Sequence, residues 1–292
     1  MTALYRGKIL KIYNSLYIVV NNATNEVVTC HKQKKIEKIV VGDNVFYEKN
    51  NDTGNILKVE DRNNCLLKPE VANVDQVFVV ASAKSPIISN YQLDSFLVFF
   101  NDSTTRPIIL FNKLDLVNLE YQEQTKLYKN LGYECHWISA ENLTEENRVF
   151  LLSKVAGKTV VFAGHSGVGK STLIKKLFPE AEIKIGEISE RLKRGKQTTK
   201  QTALYYISNT NTFLADTPGF SQVDITYFTK EEIKNKFFEF SQYQENCKFG
   251  NCNHLKEPNC GVKEAVAGNQ IPKTRYDSYL KMIDLIEKNK KR

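Results

Sequence analysis

No run of 18 apolar residues occurs in this chain, and its first residues lack the charged, apolar and small-residue pattern of a secretory leader. Neither a membrane-spanning helix nor an exported protein is therefore expected. Long low-complexity tracts and internal repeats are missing as well, which argues against disorder and against a solenoid. Cysteine is sparse, with six in 292 residues, and Cys30, Cys65 and Cys135 stand singly without disulfide spacing. That usage suits a reducing, cytoplasmic compartment. Acidic residues fall short of basic ones, 33 against 41, for a net charge of +8. The excess fits a polyanionic partner, although a merely basic soluble protein would look the same. The length leaves room for two or three domains.

Against these absences, one motif stands out. Gly164-His165-Ser166-Gly167-Val168-Gly169-Lys170-Ser171 reads G-x-x-x-x-G-K-S. Apolar Val160, Val161 and Phe162 precede it like a buried strand, and Thr172 to Leu177 follows like a helix. That strand–loop–helix context is what a phosphate-binding P-loop requires. Glycines let backbone N–H groups turn inward around phosphate oxygens, the helix N-terminus adds its dipole, and Lys170 supplies a point charge. Ser171 offers a hydroxyl to Mg²⁺. The triphosphate site is thus expected along Gly164 to Thr172.

The base is read elsewhere. Asn112-Lys113-Leu114-Asp115 follows the apolar run Pro107 to Phe111 and spells N-K-x-D. A carboxylate at Asp115 accepts from both N1–H and the exocyclic amine of guanine, whereas adenine would leave it desolvated and unpaired. Ser139-Ala140 ends the stretch His136-Trp137-Ile138 and matches the Ser-Ala loop that supports the base in small GTPases through backbone groups. Asp216-Thr217-Pro218-Gly219 follows Thr212 to Ala215 and reads D-x-x-G. Asp216 would hold Mg²⁺ through water, and the Gly219 N–H would sense the γ-phosphate. Ras-like GTPases run P-loop, D-x-x-G, N-K-x-D, S-A. Here the order is N-K-x-D, S-A, P-loop, D-x-x-G, a circular permutation that leaves each motif at the carboxyl end of a strand.

Beyond the last of these motifs, Cys247, Cys252, His254 and Cys260 form C-x4-C-x-H-x5-C. Three thiolates and one imidazole match a closed, structural zinc site, and four protein ligands leave no open catalytic position. Residues 1–65 read as about five short strands separated by turns, which suggests a small barrel of OB or SH3-like type. A basic loop, His31 to Lys35 with Lys38, lies between two of them. Leu93 to Phe100 and Glu120 to Leu131 read as helices, and Thr144 can cap a third that runs to Val155. Ile233, Phe237 and Phe240 share a face, and Tyr276, Tyr279, Leu280, Ile283 and Ile286 form an apolar stripe.

Taken together, these motifs resemble the RsgA (YjeQ/YloQ) family of ribosome small-subunit-dependent, circularly permuted GTPases. Asn73-Val74-Asp75-Gln76, Gly195-Lys196-Gln197-Thr198-Thr199 and Glu257-Pro258 also carry the likeness, which covers essentially the whole chain. The resemblance implies an OB-fold over 1–65, a permuted α/β P-loop GTPase domain over 66–225 and a mainly helical zinc-binding domain over 226–292. It implies a monomeric cytoplasmic GTP hydrolase, with no membrane attachment, that binds the 30S subunit and 16S rRNA. Late maturation of the subunit, with hydrolysis stimulated by it, would be the role. By the same resemblance 187–202 is switch I, and Thr198 or Thr199 completes the Mg²⁺ shell. Two departures bear on catalysis. Phe220 stands where a Ras-like switch has its water-orienting Gln, and Gln197 stands where family members usually carry His. A Gln amide orients water but cannot act as a general base, so Gln197, Thr198, Thr199 and Lys170 form the expected catalytic set. Two alternatives remain: a GTP-dependent RNA-binding timer whose hydrolysis only controls release, and a P-loop ATPase of nucleic-acid metabolism.

Overall fold

Apolar–polar alternation shapes the first five strands. The computed structural model describes residues 3–82, 84, 86, 88–102, 104–116, 120–179, 202–215 and 220–290. Strands β1 (Leu4–Tyr13), β2 (Leu16–Asn21), β3 (Val27–Lys32), β4 (Asn44–Asn50) and β5 (Thr53–Val59) close into a barrel in the order β1-β2-β3-β5-β4. The β3–β5 pair is parallel and the neighbouring pairs are antiparallel. That Greek-key arrangement is the OB-fold. Ile9, Val19, Val28, Cys30, Val45, Tyr47 and Ile56 point inward and pack together. Burial pushes the Cys30 thiol up to about 11, so this cysteine is core material rather than a reactive group.

The basic loop after β3 is partly committed to the chain itself. Lys32 Nζ donates to the carbonyls of Ile36 and Glu37 at 2.6 and 3.0 Å. Lys38 pairs with Glu70 at 2.5 Å. Lys34, Lys35 and Lys38 are all exposed, and Lys38 is the one already paired with a carboxylate.

Asp43 fastens the end of the barrel. Its buried carboxylate accepts from Val40 N at 2.8 Å and from two Arg62 nitrogens at 2.6 and 2.9 Å. Beside it, Gly42 adopts φ +90, and a Cβ there would lie 2.2 Å from the Ala72 carbonyl oxygen. Only glycine tolerates that approach. Ala72 belongs to a short hairpin, β6 (Cys65–Leu67) and β7 (Glu70–Ala72). The quartet Asn73 to Gln76 now has a physical role. Asn73 accepts from Asn63 N at 2.9 Å and donates to the Gly42 carbonyl at 3.1 Å. Asp75 brackets Thr159, its backbone N–H donating to the Thr159 carbonyl at 2.9 Å and its carboxylate accepting from Thr159 N at 2.8 Å.

The remaining strands are β8 (Gln76–Ser82), β9 (Ile108–Asn112), β10 (Cys135–Trp137), β11 (Thr159–Ala163), β12 (Leu204–Ile207) and β13 (Thr212–Ala215). They form one sheet ordered β10-β9-β8-β11-β13-β12. Every residue of β8, β9 and β11 is buried, as expected for a largely parallel sheet covered on both faces. The helices between them are α1 (Asn90–Phe100), α2 (Glu120–Asn130), α3 (Glu145–Val155) and α4 (Lys170–Leu177). Thr144 caps α3 by accepting from Asn147 N, and Ser89 with Gln92 forms a capping box on α1. Each such cap contributes about 1 kcal/mol.

Among the described residues, four α-helices follow the sheet: α5 (Lys230–Lys236), α6 (Ser241–Gln244), α7 (Gly261–Ala267) and α8 (Lys273–Lys290). Phe237, Phe240 and Tyr279 meet with ring centroids 5.1–5.3 Å apart. Of the stripe on α8, Tyr279, Ile283 and Ile286 are buried, while Tyr276 and Leu280 are half-buried. Met282 and Arg275 are buried on the same helix without having been expected there. Arg275 donates to Asp94 Oδ1 at 2.6 Å, Glu239 Oε1 at 2.5 Å and the Tyr133 hydroxyl at 3.1 Å.

By packing, the chain divides into two compact units. One comprises Met1–Phe78, Ala140–Phe162 and Lys170–Ser221; the other comprises Val79–Ser139, Ala163–Gly169 and Gln222–Arg292.

Candidate nucleotide site and metal centre

The buried strand β11 delivers the chain to the phosphate loop. Gly164 opens the loop with φ +134, and a Cβ there would meet the Val80 carbonyl oxygen at 2.2 Å. The loop can leave the sheet at this point only because Gly164 has no side chain. Helix α4 begins at Lys170, so its free N–H groups end the loop. Lys170 is 7% exposed. Burial pushes its ammonium down to about 8, and an anion placed beside it would oppose that shift. Ser171 is exposed and Thr172 half-buried on the first turn of α4.

The N-K-x-D loop is fastened to the phosphate loop. Asn112, at the end of β9 and 2% exposed, donates from Nδ2 to the Val168 carbonyl at 2.8 Å. Lys113 takes a left-handed backbone, φ 68, which costs a non-glycine residue about 1 kcal/mol or more. Leu114 N donates to the Ile138 carbonyl at 3.1 Å, so the S-A loop and the N-K-x-D loop are tied together. Ser139 Oγ then donates to Asp115 Oδ1 at 2.6 Å. The Ser-Ala pair was expected to act through its backbone; the structure adds this hydroxyl, which aims the Asp115 carboxylate. Ala140 is buried beside it in sequence. On the phosphate loop, His165 meets the ring of Phe96 edge-on at 5.7 Å. No sequence signal pointed to Phe96, because it lies on α1, outside any motif, and meets His165 only in the fold.

Asp216 and Gly219 of the D-x-x-G motif lie outside the described residues, as do Gln197, Thr198 and Thr199. Phe220, directly after the motif, is fully buried. It is a core residue, in keeping with its inability to orient water.

The four C-terminal donors do converge. The ligand atoms of Cys247, Cys252, His254 and Cys260 lie within 4.8 Å of one another. Cys247 Sγ is 3.9 Å from Cys260 Sγ and 3.6 Å from His254 Nδ1, and Nδ1 is 3.3 Å from Cys260 Sγ. Metal–sulfur bonds of about 2.3 Å and metal–nitrogen bonds of about 2.0–2.1 Å in a tetrahedron give edges of about 3.8 and about 3.6 Å. The cluster therefore fits a tetrahedral, thiophilic cation. Its electrostatics point the same way. Burial pushes Cys252 up to about 12, reinforced by the neighbouring sulfurs, and Cys260 upward as well; a cation would reverse both. Burial, helped by Lys234, pushes His254 down to about 4, leaving the neutral imidazole that ligates metals. The loop is held independently of any ion. Glu257 accepts from Asn253 N and Leu255 N, each at 2.8 Å. Burial would raise its pKa, but these backbone donors outweigh it and the pKa falls. Tyr276 and Tyr279 of α8 donate to the carbonyls of His254 and Asn253, both at 2.6 Å.

A phosphate loop on the central strand, with the N-K-x-D and S-A strands earlier in the chain and the D-x-x-G strand later, defines a circularly permuted P-loop GTPase. The chain belongs to the RsgA GTPase family, whose model matches residues 59–226, and it is accordingly a GTP-hydrolysing enzyme. It is 40% identical to the small ribosomal subunit biogenesis GTPase RsgA of Clostridium novyi, covering 96% of this chain and 97% of that one. Among solved structures it resembles YjeQ from Thermotoga maritima, with 33% identity, a TM-score of 0.83 and coverage of 97% and 99%. It also resembles YloQ, a circularly permuted GTPase, with 31% identity, a TM-score of 0.81 and coverage of 98% and 96%. No helix among the described residues is long and apolar enough to cross a membrane.

Proposed function

We propose that this enzyme hydrolyses GTP while bound to the 30S ribosomal subunit and assists its late maturation, in assembly of the 16S rRNA and its decoding region. The observation that carries the nucleotide reading is the Asn112–Val168 hydrogen bond, which holds the purine-reading loop against the phosphate loop. The subunit reading rests on the relatives named small ribosomal subunit biogenesis GTPase. The net charge of +8 suits an RNA partner. Three modules, 1–65, 66–225 and 226–292, would divide the work among RNA contact, nucleotide chemistry and a metal-stapled platform. A cytoplasmic monomer fits this role.

In the proposed site, Asp115, aimed by Ser139, accepts from the guanine N1–H and exocyclic amine. Asn112, Lys113 and Ala140 frame the base. The amides of Gly164 to Ser171 and the Lys170 ammonium hold the phosphates. Ser171, Asp216 and one of Thr198 and Thr199 would hold Mg²⁺, which would supply positive charge against the negative charge that develops on the phosphates. Gln197 positions the attacking water. The catalytic geometry is completed only on the subunit, so hydrolysis by the free protein is slow.

Two measurements test this reading. Purified 30S subunits should accelerate GTP turnover, whereas 50S subunits should not; equal turnover in both mixtures would remove the subunit from the mechanism. Gln197→Ala should lose about 10²-fold in 30S-stimulated turnover while keeping its GTP affinity. Unchanged stimulated turnover would assign the water to another group.

We further propose zinc as the ion held by Cys247, Cys252, His254 and Cys260, in a structural role. Cys260→Ser should then carry less than one zinc per chain and melt about 10 °C lower, the scale set by several kcal/mol of metal-coupled folding. Metal analysis and a thermal melt check this. Zinc-free protein with an unchanged melting temperature would show the cluster to be mere packing.

A further inference from the structure

The loop between the first two cysteines of the cluster presents an aromatic ring to solvent. Phe249 is 40% exposed, although the metal ligands Cys247 and Cys252 lie two and three residues away. Its backbone is not loose. The Phe249 carbonyl accepts from Cys252 N at 3.1 Å, and Lys248 N donates to the Asn259 carbonyl at 3.0 Å. The ammonium of Lys248 lies 5.7 Å from the centre of the Phe249 ring. Gly250 follows at the tip, and a Cβ built on it would meet nothing within 4 Å. Asn251 and Asn259 expose their amides on the same loops.

A phenylalanine left 40% exposed forgoes part of the gain that full burial would give it. The charge around it is positive. Between Cys247 and Cys260 the charged side chains are Lys248, Lys256 and Glu257, and Glu257 spends its carboxylate on the backbone N–H groups of Asn253 and Leu255. Lys248 and Lys256 are exposed. An exposed aromatic ring, a cation beside it and exposed asparagines on the same loops together suit an unpaired nucleobase with its phosphate.

We propose that Phe249 is a stacking platform for one unpaired base of the RNA this enzyme binds, with Lys248 on the adjoining phosphate. The inference rests on the ribosomal-subunit reading above and names a contact within it. Stacking needs a π face, whereas a pocket in a protein partner needs only apolar bulk. Affinity for purified 30S subunits, measured with a non-hydrolysable GTP analogue, separates the two in Phe249→Ala, Phe249→Leu and Phe249→Tyr. Metal content and melting temperature of each variant show that the loop remains folded. Alanine and leucine should each weaken binding by about tenfold, within the range for one stacked base, and tyrosine should restore it. Chemical probing of the Watson–Crick edges of 16S rRNA should show one unpaired base whose reactivity changes with the wild type and with Phe249→Tyr but not with Phe249→Ala. Leucine binding as well as phenylalanine, or no base responding, would overturn the stacking role in favour of an apolar protein contact or none. Wild-type protein that fails to bind the subunit would instead remove the functional reading on which the inference stands.

Discussion

Asp115→Asn should lower GTP and GDP affinity by about 10²–10⁴-fold and shift preference toward xanthosine nucleotides. In the proposed site the carboxylate accepts two hydrogen bonds from guanine, and hydrogen bonds to a charged group contribute roughly 1.5–3 kcal/mol each. Replacing the carboxylate weakens one of these bonds and turns the other into a clash, together a cost of about 3–6 kcal/mol, or about two to four powers of ten. An asparagine amide still accepts from N1–H, but its NH₂ faces the guanine amine, donor against donor. Xanthine carries a carbonyl at that position, which accepts from the amide. Ser139 enters here because its hydroxyl is 2.6 Å from Asp115 Oδ1. Ser139→Ala should cost less, about three- to tenfold, because the carboxylate survives and only its aim is lost. Calorimetry with GDP and xanthosine diphosphate on the three proteins decides the matter. If Asp115→Asn kept its guanine preference, the base would have to be read by other residues.

Arg275→Met should destabilise the protein by about 3–5 kcal/mol, the usual consequence of removing one partner from a buried ionic cluster. Arg275 is fully buried and bonded to Asp94 and Glu239, and its guanidinium lies 4.2 Å from the centre of the Phe237 ring. Burial alone would lower its pKa, but Glu239 and Asp94 outweigh burial and hold it well above the ordinary value. Burial also pushes Asp94 up, with Arg275 pulling the other way. Methionine fills much of the space but leaves two carboxylates without their cation. The pH dependence follows from what Arg275 does to Asp94: its charge pulls the raised Asp94 pKa down, so removing Arg275 raises that pKa further. A carboxyl whose folded pKa is raised binds its proton more tightly when folded, so it costs stability as pH rises through that pKa. The variant's deficit should therefore shrink as pH is lowered from about 8 to about 5, and adding Asp94→Asn should recover part of it. Urea melts at several pH values measure both effects. A deficit that stayed constant with pH would mean that lost packing, not stranded charge, dominates.

Much of the site was legible because its signals are local. The P-loop glycines, the N-K-x-D loop, the Thr144 cap and the Cys-x4-Cys-x-His-x5-Cys spacing each lie within a dozen or so consecutive residues. Each owes its chemistry to backbone geometry that such a stretch specifies by itself. Alternation showed the barrel strands for the same reason, with Tyr17, Val19, Val28 and Cys30 facing inward at every second position along β2 and β3. Other readings were necessarily blind. A basic loop looks the same in sequence whether its lysines face RNA or, like Lys32, turn back on carbonyls four and five residues away.

Sequence by itself determined the motifs this chain carries: a P-loop, the N-K-x-D loop proposed to read the purine, four donors spaced for a metal and the permuted order in which they occur. Only the tertiary structure decided how they are braced. It joined Asn112 to Val168 and Ser139 to Asp115, and it set Arg275 against Asp94, 181 residues away in sequence. The physical reason is that these bonds link residues remote along the chain. Arginine is almost never fully buried unless it is paired, and its partners become visible only when folding brings them within about 3 Å.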